Sequence, residues 1–547
     1  MADKLFVIGI GGTGMRCLES FVHLCSIGMF DNKEIDILTL DTDASNGNLG
    51  RVHELINLYK NIKSGSEKDG GSPTNDTFFS AKLNLFEFHT DYTSGQSRST
   101  FANLSKLSEG ESSKQNKMLS DLFLDTDSVQ QFNLAHGYRA QTHLGSHLMY
   151  HGIVEAARNL AKGGDVSKAE QDLGDFIEKI SKAGEEARVF IFGSVFGGTG
   201  ASSIPVIPTA LDHAVKVRSG GNSGLDLNKV KFGSTLLTEY FSFKKPDESQ
   251  MSTKANSVIA DSSFFPLNSQ AALQFYQQDP TVQNVYKRLY HVGWPLESKS
   301  ADKSGASETI TGGANQKNPC HFVELVCACA AMDFFYDDNI KTEGAAEYVF
   351  RTGEYENEAF NLKASDLVGS KNNIDERLIA KLGAFLSLAH LTLTTNKASF
   401  GDKGFEGLRK RLEMNSIDTY NTISQKDLDQ LDEYMKMFGY KFDSSKSFQP
   451  GWIYQVRQSI QPGNFIFANA AFSTSIKDLE SLDVGKLFED PNYHWQSSML
   501  GGGSYQTFVK SLNKLELDES AHLLNHTKEK FIAHLHDGIM ASQSTKN

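Results

Sequence analysis

Leu5-Phe6-Val7-Ile8-Gly9-Ile10-Gly11-Gly12-Thr13-Gly14 runs an apolar stretch straight into a cluster of glycines. Val189-Phe190-Ile191-Phe192 does the same further on, leading into Phe196-Gly197-Gly198-Thr199-Gly200-Ala201-Ser202. Both apolar stretches read as strands buried on the two faces of a parallel sheet. Behind the first loop, Met15, Leu18, Val22 and Cys25 recur at helical spacing. Ile35 to Leu40 then reads as a second strand, ending on Asp41-Thr42-Asp43. Strand, helix, strand implies a parallel, right-handed crossover. The chain therefore opens as a doubly wound α/β domain. A glycine turn allows close strand–helix packing, and it also lets backbone amides approach phosphate. Two such loops facing one crevice point to a nucleotide held from both sides.

The chain has 547 residues, room for about two to four domains of roughly 150 residues each. Its net charge of -13 disfavours a surface that tracks nucleic-acid phosphates, so no nucleic-acid partner is expected. The cysteines are Cys17, Cys25, Cys320, Cys327 and Cys329, an odd set whose spacing fits neither a zinc site nor a disulfide framework. Cys327 and Cys329 sit in an apolar run and read as small core residues. No resident protein metal site is expected. The first strand runs directly into its loop and does not resemble a signal peptide. No apolar run reaches the roughly 18 residues of a membrane span. A cytoplasmic location is the resulting expectation.

Further along, residues 63–76 are rich in Gly, Ser, Lys and Asp and read as a loop, and residues 60–135 as an insertion. Leu144 to Ala161 reads as a helix, and Phe232 to Phe241 and Val285 to Trp294 as strands. Residues 297–317 are polar and unpatterned. Asn318 is placed to cap a helix that Pro319 begins. Phe322 to Phe335 is apolar almost all round, the pattern of a helix buried between layers. Tyr348 to Thr352, Phe360 to Lys363, Trp452 to Val456 and Phe465 to Phe467 read as short strands. Ile374 to Leu393 and Asp427 to Phe438 read as helices. The tail from Tyr505 to Ser542 reads as helical, with Leu523, Leu524, Phe531, Ile532 and Leu535 as its apolar face. The expected organisation is a nucleotide-binding domain over 1–317, a central helix over 318–338, an α+β domain over 339–475 and a helical extension over 476–547.

Candidate phosphate contacts are Gly11, Gly12, Thr13 and Gly14 in the first loop and Gly197, Gly198, Thr199, Gly200, Ala201 and Ser202 in the second. Thr199 and Ser202 offer hydroxyls as well. Asp41 and Asp43 end a strand in the same crevice, either to meet nucleotide, water or Mg²⁺ or to cap a turn. Glu239 follows a strand and reads either as a ribose contact or as a solvated carboxylate. His321 and Glu324 share one helix face and read as a hydrogen-bonded core pair.

The first loop resembles the first nucleotide loop of the tubulin/FtsZ superfamily. Leu38-Thr39-Leu40-Asp41-Thr42-Asp43-Ala44 resembles the V-N-T-D-A second loop of FtsZ, and Val189 to Pro205 resembles the strand, signature loop G-G-G-T-G-[ST]-G and following helix. The all-apolar helix occupies the place of that family's central helix. The likeness covers roughly residues 1–395 and is nearest to divergent bacterial tubulin-like proteins. In the signature, Phe196, Ala201 and Ser202 replace the first glycine, the Ser/Thr and the last glycine. By this resemblance Arg139 stands in the third loop, which senses the terminal phosphate; a surface arginine is the alternative. Asn318 stands where the family reads guanine. The family's catalytic acids follow the central helix as Asn-x-Asp-x-x-acid and act on the neighbouring subunit's nucleotide. Asn373-Ile374-Asp375 matches the first half, and Leu378 sits where the second acid belongs. Asp375 and Glu376 are the catalytic candidates, with helix capping as the other role for Asp375.

The resemblance implies a protein that binds GTP or GDP with Mg²⁺, forms homo-oligomers or filaments, and hydrolyses GTP at the subunit interface. Two alternatives stand beside it. One is a nucleotide-binding scaffold without turnover in a multi-protein system, for example in defence or stress. The other is an NAD-dependent dehydrogenase, since Gly9, Gly11 and Gly14 fit G-x-G-x-x-G and Asp41 ends the second strand.

Overall fold

The structure is a computed structural model that describes residues 4–43, 45–64, 70–89, 118, 142–221, 223–242, 262–294, 314–341, 343–350, 354–356, 359–362, 364–369, 373–394, 420, 423–442, 448–460, 465–467 and 514–543. Its N-terminal part alternates strands and helices. The order is β1 (Lys4–Ile10), α1 (Gly11–Ser26), β2 (Glu34–Asp41), α2 (Gly47–Ser64), β3 (Lys82–His89), α3 (Thr142–Lys162), α4 (Lys168–Ala183) and β4 (Ala187–Phe192). Then come α5 (Thr199–Ser203), α6 (Ile207–Arg218), β5 (Lys231–Leu237), α7 (Phe265–Gln278), α8 (Pro280–Val285), β6 (Tyr286–Val292), α9 (Phe322–Tyr336) and β7 (Glu347–Phe350).

These strands form one seven-stranded sheet in the order β3-β2-β1-β4-β5-β6-β7. Every neighbouring pair is parallel. β1 shows why both faces are covered. Leu5 and Val7 enter one core, while Phe6, Ile8 and Ile10 enter the other, as the two-residue period of a strand requires. The first core is closed by α1, α2 and α9, the second by α3, α4, α6 and α8. The chain runs outward from β1 through β2 to β3, then returns to place β4 on the other side of β1. In open α/β sheets a ligand crevice forms at the carboxyl ends of the strands where the order reverses. Here that point lies between β1 and β4.

The remaining elements are β8 (Glu354–Glu356), β9 (Ala359–Leu362), α10 (Ala364–Val368), α11 (Ile374–Thr394), α12 (Gln425–Phe438), β10 (Tyr440–Phe442), β11 (Phe448–Pro450), α13 (Trp452–Ile460), β12 (Phe465–Phe467) and α14 (Thr527–Gln543). β12, β9 and β8 make a small sheet, and β10 and β11 a hairpin. α11, α12, α13 and α14 share the first core with α1, α2 and α9. α9 is apolar on all sides because it lies inside this core, with only Asp333 and Tyr336 partly exposed.

Several sequence expectations change. β3 falls within the expected insertion yet forms the edge of the main sheet, paired with β2 over its whole length. β7 pairs with β6, so the main sheet extends past residue 339. Trp452 to Val456 is helical, not a strand. Its aromatic and β-branched residues suit a strand locally, but Trp452, Ile453 and Val456 lie on one buried helical face. The central helix starts at Phe322, after Asn318 and Pro319. His321 caps it: its Nδ1 accepts from Val323 N at 3.2 Å, while Glu324 accepts from His321 N at 2.8 Å. In the tail, helix is confined to α14 and Lys514 among the described residues. Leu523 precedes α14 and is exposed, whereas Phe531, Ile532 and Leu535 are buried. No helix among the described residues is long and apolar enough to cross a membrane.

Candidate functional site

The two glycine loops meet. Gly11 adopts φ +62°, and a Cβ there would lie 3.1 Å from Thr199 Cβ. A Cβ on Gly12 would come within 3.2 Å of Asn46 Nδ2 and of Gln316 Nε2. Three chain segments thus converge on the start of α1: the second glycine loop, the turn before α2 and residues 314–318. Gly14 and Gly200 have a different task. A Cβ would sit 2.6 Å from Phe192 O at Gly14 and 2.6 Å from Ser194 O at Gly200. Both are required by backbone packing alone.

Ile10, at the N-cap of α1, offers no side-chain cap, and the first turn of the helix holds no acidic residue. The amides of that turn have no partner within the helix and carry the positive end of its dipole, which suits an anion. Gly12, Thr13, Gly197, Gly198 and Thr199 are half-exposed, while Gly11, Gly14, Gly200, Ala201 and Ser202 are buried. Ser202 spends its hydroxyl on Thr199 O at 2.9 Å. Ala201 O accepts from Tyr276 OH on α7 at 2.6 Å. Phe196 turns into the core, with its ring centroid 4.8 Å from Phe265 and 5.5 Å from Phe241.

Asp41 organises the turn after β2. Its Oδ1 accepts from Thr42 N at 2.7 Å and Asp43 N at 3.2 Å, and its Oδ2 accepts from Asn46 Nδ2 at 3.1 Å. Burial pushes its carboxyl up to about 7 against the pull of these hydrogen bonds. Asp43 accepts from Ser45 N and Oγ at 3.1 and 2.6 Å. Beside them are groups that the sequence left unmarked. Asn48, at the second position of α2, is 1% exposed, and neither atom of its carboxamide has a protein partner. Thr42 Oγ1 is buried without one as well. Native proteins rarely leave such groups unpaired except where a ligand or ordered water meets them.

Glu239 accepts from Ser269 Oγ on α7 at 2.6 Å and is nearly buried. Asn318 is buried, and its carbonyl accepts from Arg51 Nη1 at 3.1 Å. The neighbouring Pro319 carbonyl accepts from Arg16 Nη2 at 2.5 Å. These arginines belong to a buried network behind the loops. Arg16 pairs with Glu324 at 2.6 Å, Arg51 with Glu19 at 2.6 Å, and Tyr240 OH donates to Glu324 Oε1 at 2.6 Å. Burial raises the Glu324 carboxyl, and Arg16 opposes that rise. Arg16 and Glu19 are the charged residues of α1, and Glu324 is a charge within the apolar run of α9; these are the traces of the network in the sequence.

Asp375 and Glu376 stand elsewhere. They occupy the first turn of α11. The next residue, Arg377, donates to Gly28 O at 2.8 Å and also to Asp31. Gly28 and Asp31 follow the C-terminal end of α1. The two acids and the glycine loops are therefore separated by the length of α1, whose 16 residues span about 24 Å at roughly 1.5 Å each. Arg139 lies outside the described residues. No protein-family model matches this chain, and no curated protein matches it.

Proposed function

We propose that this chain is a tubulin-like GTP-binding protein that self-associates head to tail, each copy presenting its acids to the nucleotide of the next. One observation carries the proposal: the two glycine loops touch at Gly11 and Thr199, where the strand order of the parallel sheet reverses. The donor set suits a nucleoside phosphate. It comprises the uncapped first turn of α1 and the half-exposed Gly12, Thr13, Gly197, Gly198 and Thr199. Asn48 and Thr42 add buried polar atoms that still lack partners.

Bound Mg²⁺ would neutralise phosphate charge and polarise the phosphorus–oxygen bonds. Both oxygens of Asp41 are already engaged, and among the described residues no group of three or more His, Cys, Asp or Glu is placed to hold a metal. The ion would be held chiefly by phosphates and water, as Mg²⁺ commonly is. Within one copy Asp375 and Glu376 cannot reach the loops across the length of α1. Stacking the α11 end of one copy onto the loop end of another would bring them together.

A scaffold that binds nucleotide without turnover is the second proposal. It is favoured by Leu378, 2% exposed in the core where a second acid would stand. The dehydrogenase alternative is weaker, because Asp41 would have to accept from ribose hydroxyls with oxygens that already hold three bonds.

The test is GTP hydrolysis per molecule across a range of protein concentrations with Mg²⁺. A specific rate that climbs with concentration supports a shared site. Bound GTP with no turnover at any concentration supports the scaffold. Saturable NAD binding without GTP binding would sink both.

A further inference from the structure

α3 carries His143, His147 and His151 at i, i+4 and i+8. Residues four apart share one helix face. All three imidazoles lie on the exposed side of α3, while Leu144, Leu148 and Met149 are buried beneath. The rings of His147 and His151 stand 4.4 Å apart between centroids, tilted by 58°. Tyr150 is hydrogen-bonded at 2.8 Å to His213 Nδ1 on the neighbouring α6. Partial burial and then the proximity of His151 hold His147 down at about 4, and burial lowers His143 too. A metal takes imidazole in its neutral form. GTP binding gives this row of histidines no task.

We propose that His147 and His151 form a two-imidazole clip for one borderline-soft divalent ion such as Zn²⁺ or Ni²⁺ on the outer face of α3. Imidazoles one turn apart on a helix reach a common ion at about 2.0–2.1 Å each after side-chain rotation. Water completes the shell, since no larger group of ligating side chains is placed to do so among the described residues. The site is separate in chemistry from any Mg²⁺ at the phosphates, because Mg²⁺ takes oxygen ligands and imidazole favours later transition metals.

Calorimetric titration of the full chain with Ni²⁺, and separately with Zn²⁺, tests this. The expected result is a saturable site of unit stoichiometry that persists under a large excess of Mg²⁺. Ni²⁺ should bind more tightly than Co²⁺. His147→Ala and His151→Ala should each weaken binding by roughly tenfold or more, the scale set by losing even indirect metal contacts. His147→Gln/His151→Gln should abolish that site while keeping a polar helix face, with circular dichroism reporting on the fold. His213→Ala, on α6, should leave it intact. Absence of saturable binding, or binding that survives in the double variant, overturns the proposal.

Discussion

Arg16 on α1 and Glu324 on α9 form a 2.6 Å ion pair inside the protein, with side chains 6% and 0% exposed. The pair ties the helix that opens at the first glycine loop to the central helix. Arg16 also donates to Pro319 O, just ahead of the His321 cap. Removing one partner strands the other in a medium that cannot solvate it.

Arg16→Met should therefore destabilise the chain by about 3–5 kcal/mol, the usual cost of breaking a buried pair. Arg16→Met/Glu324→Gln should recover part of this loss, because the amide oxygen can still accept from His321 N while its NH2 donates to the Tyr240 hydroxyl oxygen. Urea denaturation of the variants measures both. Equal stability of Arg16→Met and the parent chain would refute the role assigned to the pair.

Gly12 and Gly14 should separate ligand binding from packing. Gly14→Ala places a methyl group 2.6 Å from a backbone carbonyl and should cost stability whatever is bound. Gly12→Asp meets only the ends of Asn46 and Gln316, so the chain should fold. It sets a carboxylate against the proposed phosphates and should weaken GTP binding by more than about tenfold, or 1.4 kcal/mol. Unchanged affinity in Gly12→Asp would remove the first loop from the site.

Asp375→Ala should abolish turnover while leaving GTP affinity of the dilute protein intact. Neither Asp375→Ala nor Gly12→Asp should hydrolyse GTP alone. A mixture should regain activity, since Gly12→Asp copies still supply Asp375 to nucleotide held by their neighbours. A mixture as inactive as its parts would mean that the site is not shared.

The C-terminal segment should be most firmly held near neutral pH. The His522 ring faces two acceptors: it donates Nδ1–H to Asn75 O at 2.9 Å and Nε2–H to Asp537 Oδ2 at 2.8 Å, so it is cationic. Its hydrogen bond to Asp537 outweighs burial and raises its pKa to about 9. A raised folded-state pKa means stabilisation that is complete below the unfolded value of about 6.5 and lost as pH climbs through about 9. His536 behaves oppositely. Burial, then Lys381 with its Nζ 2.7 Å from Nε2, lowers its pKa. Its docked form is thus penalised as pH falls below about 6.5. Amide exchange in α14 followed across pH should show protection falling on both sides of neutrality. His522→Phe should flatten the alkaline limb alone.

Much of the architecture was written in local pattern. The apolar runs at Leu5 to Ile8 and Val189 to Phe192, the glycines that end them and the all-round apolar Phe322 to Phe335 each constrain their own few residues. Backbone freedom and periodicity act over such distances, so they determined the strands, the two loops and the buried helix. The i, i+3 spacing of His321 and Glu324 signalled their hydrogen bond, but as a capping box with His321 ahead of the helix and not as two residues on one helix face. What tertiary structure decided depends on partners distant in the chain. Trp452 became helical because its indole donates to Ser20 Oγ at 2.9 Å within a helix-lined core. Phe196, at the start of the second glycine loop, packs into an aromatic cluster completed by Phe241 and Phe265. Arg16 and Arg51 gained buried partners more than 250 positions away, at Pro319 and Asn318. Asp375 was set at the far end of α1 by the neighbouring bonds of Arg377 to Gly28 and Asp31. Burial and long-range pairing are properties of the assembled core, and no stretch of sequence carries them alone.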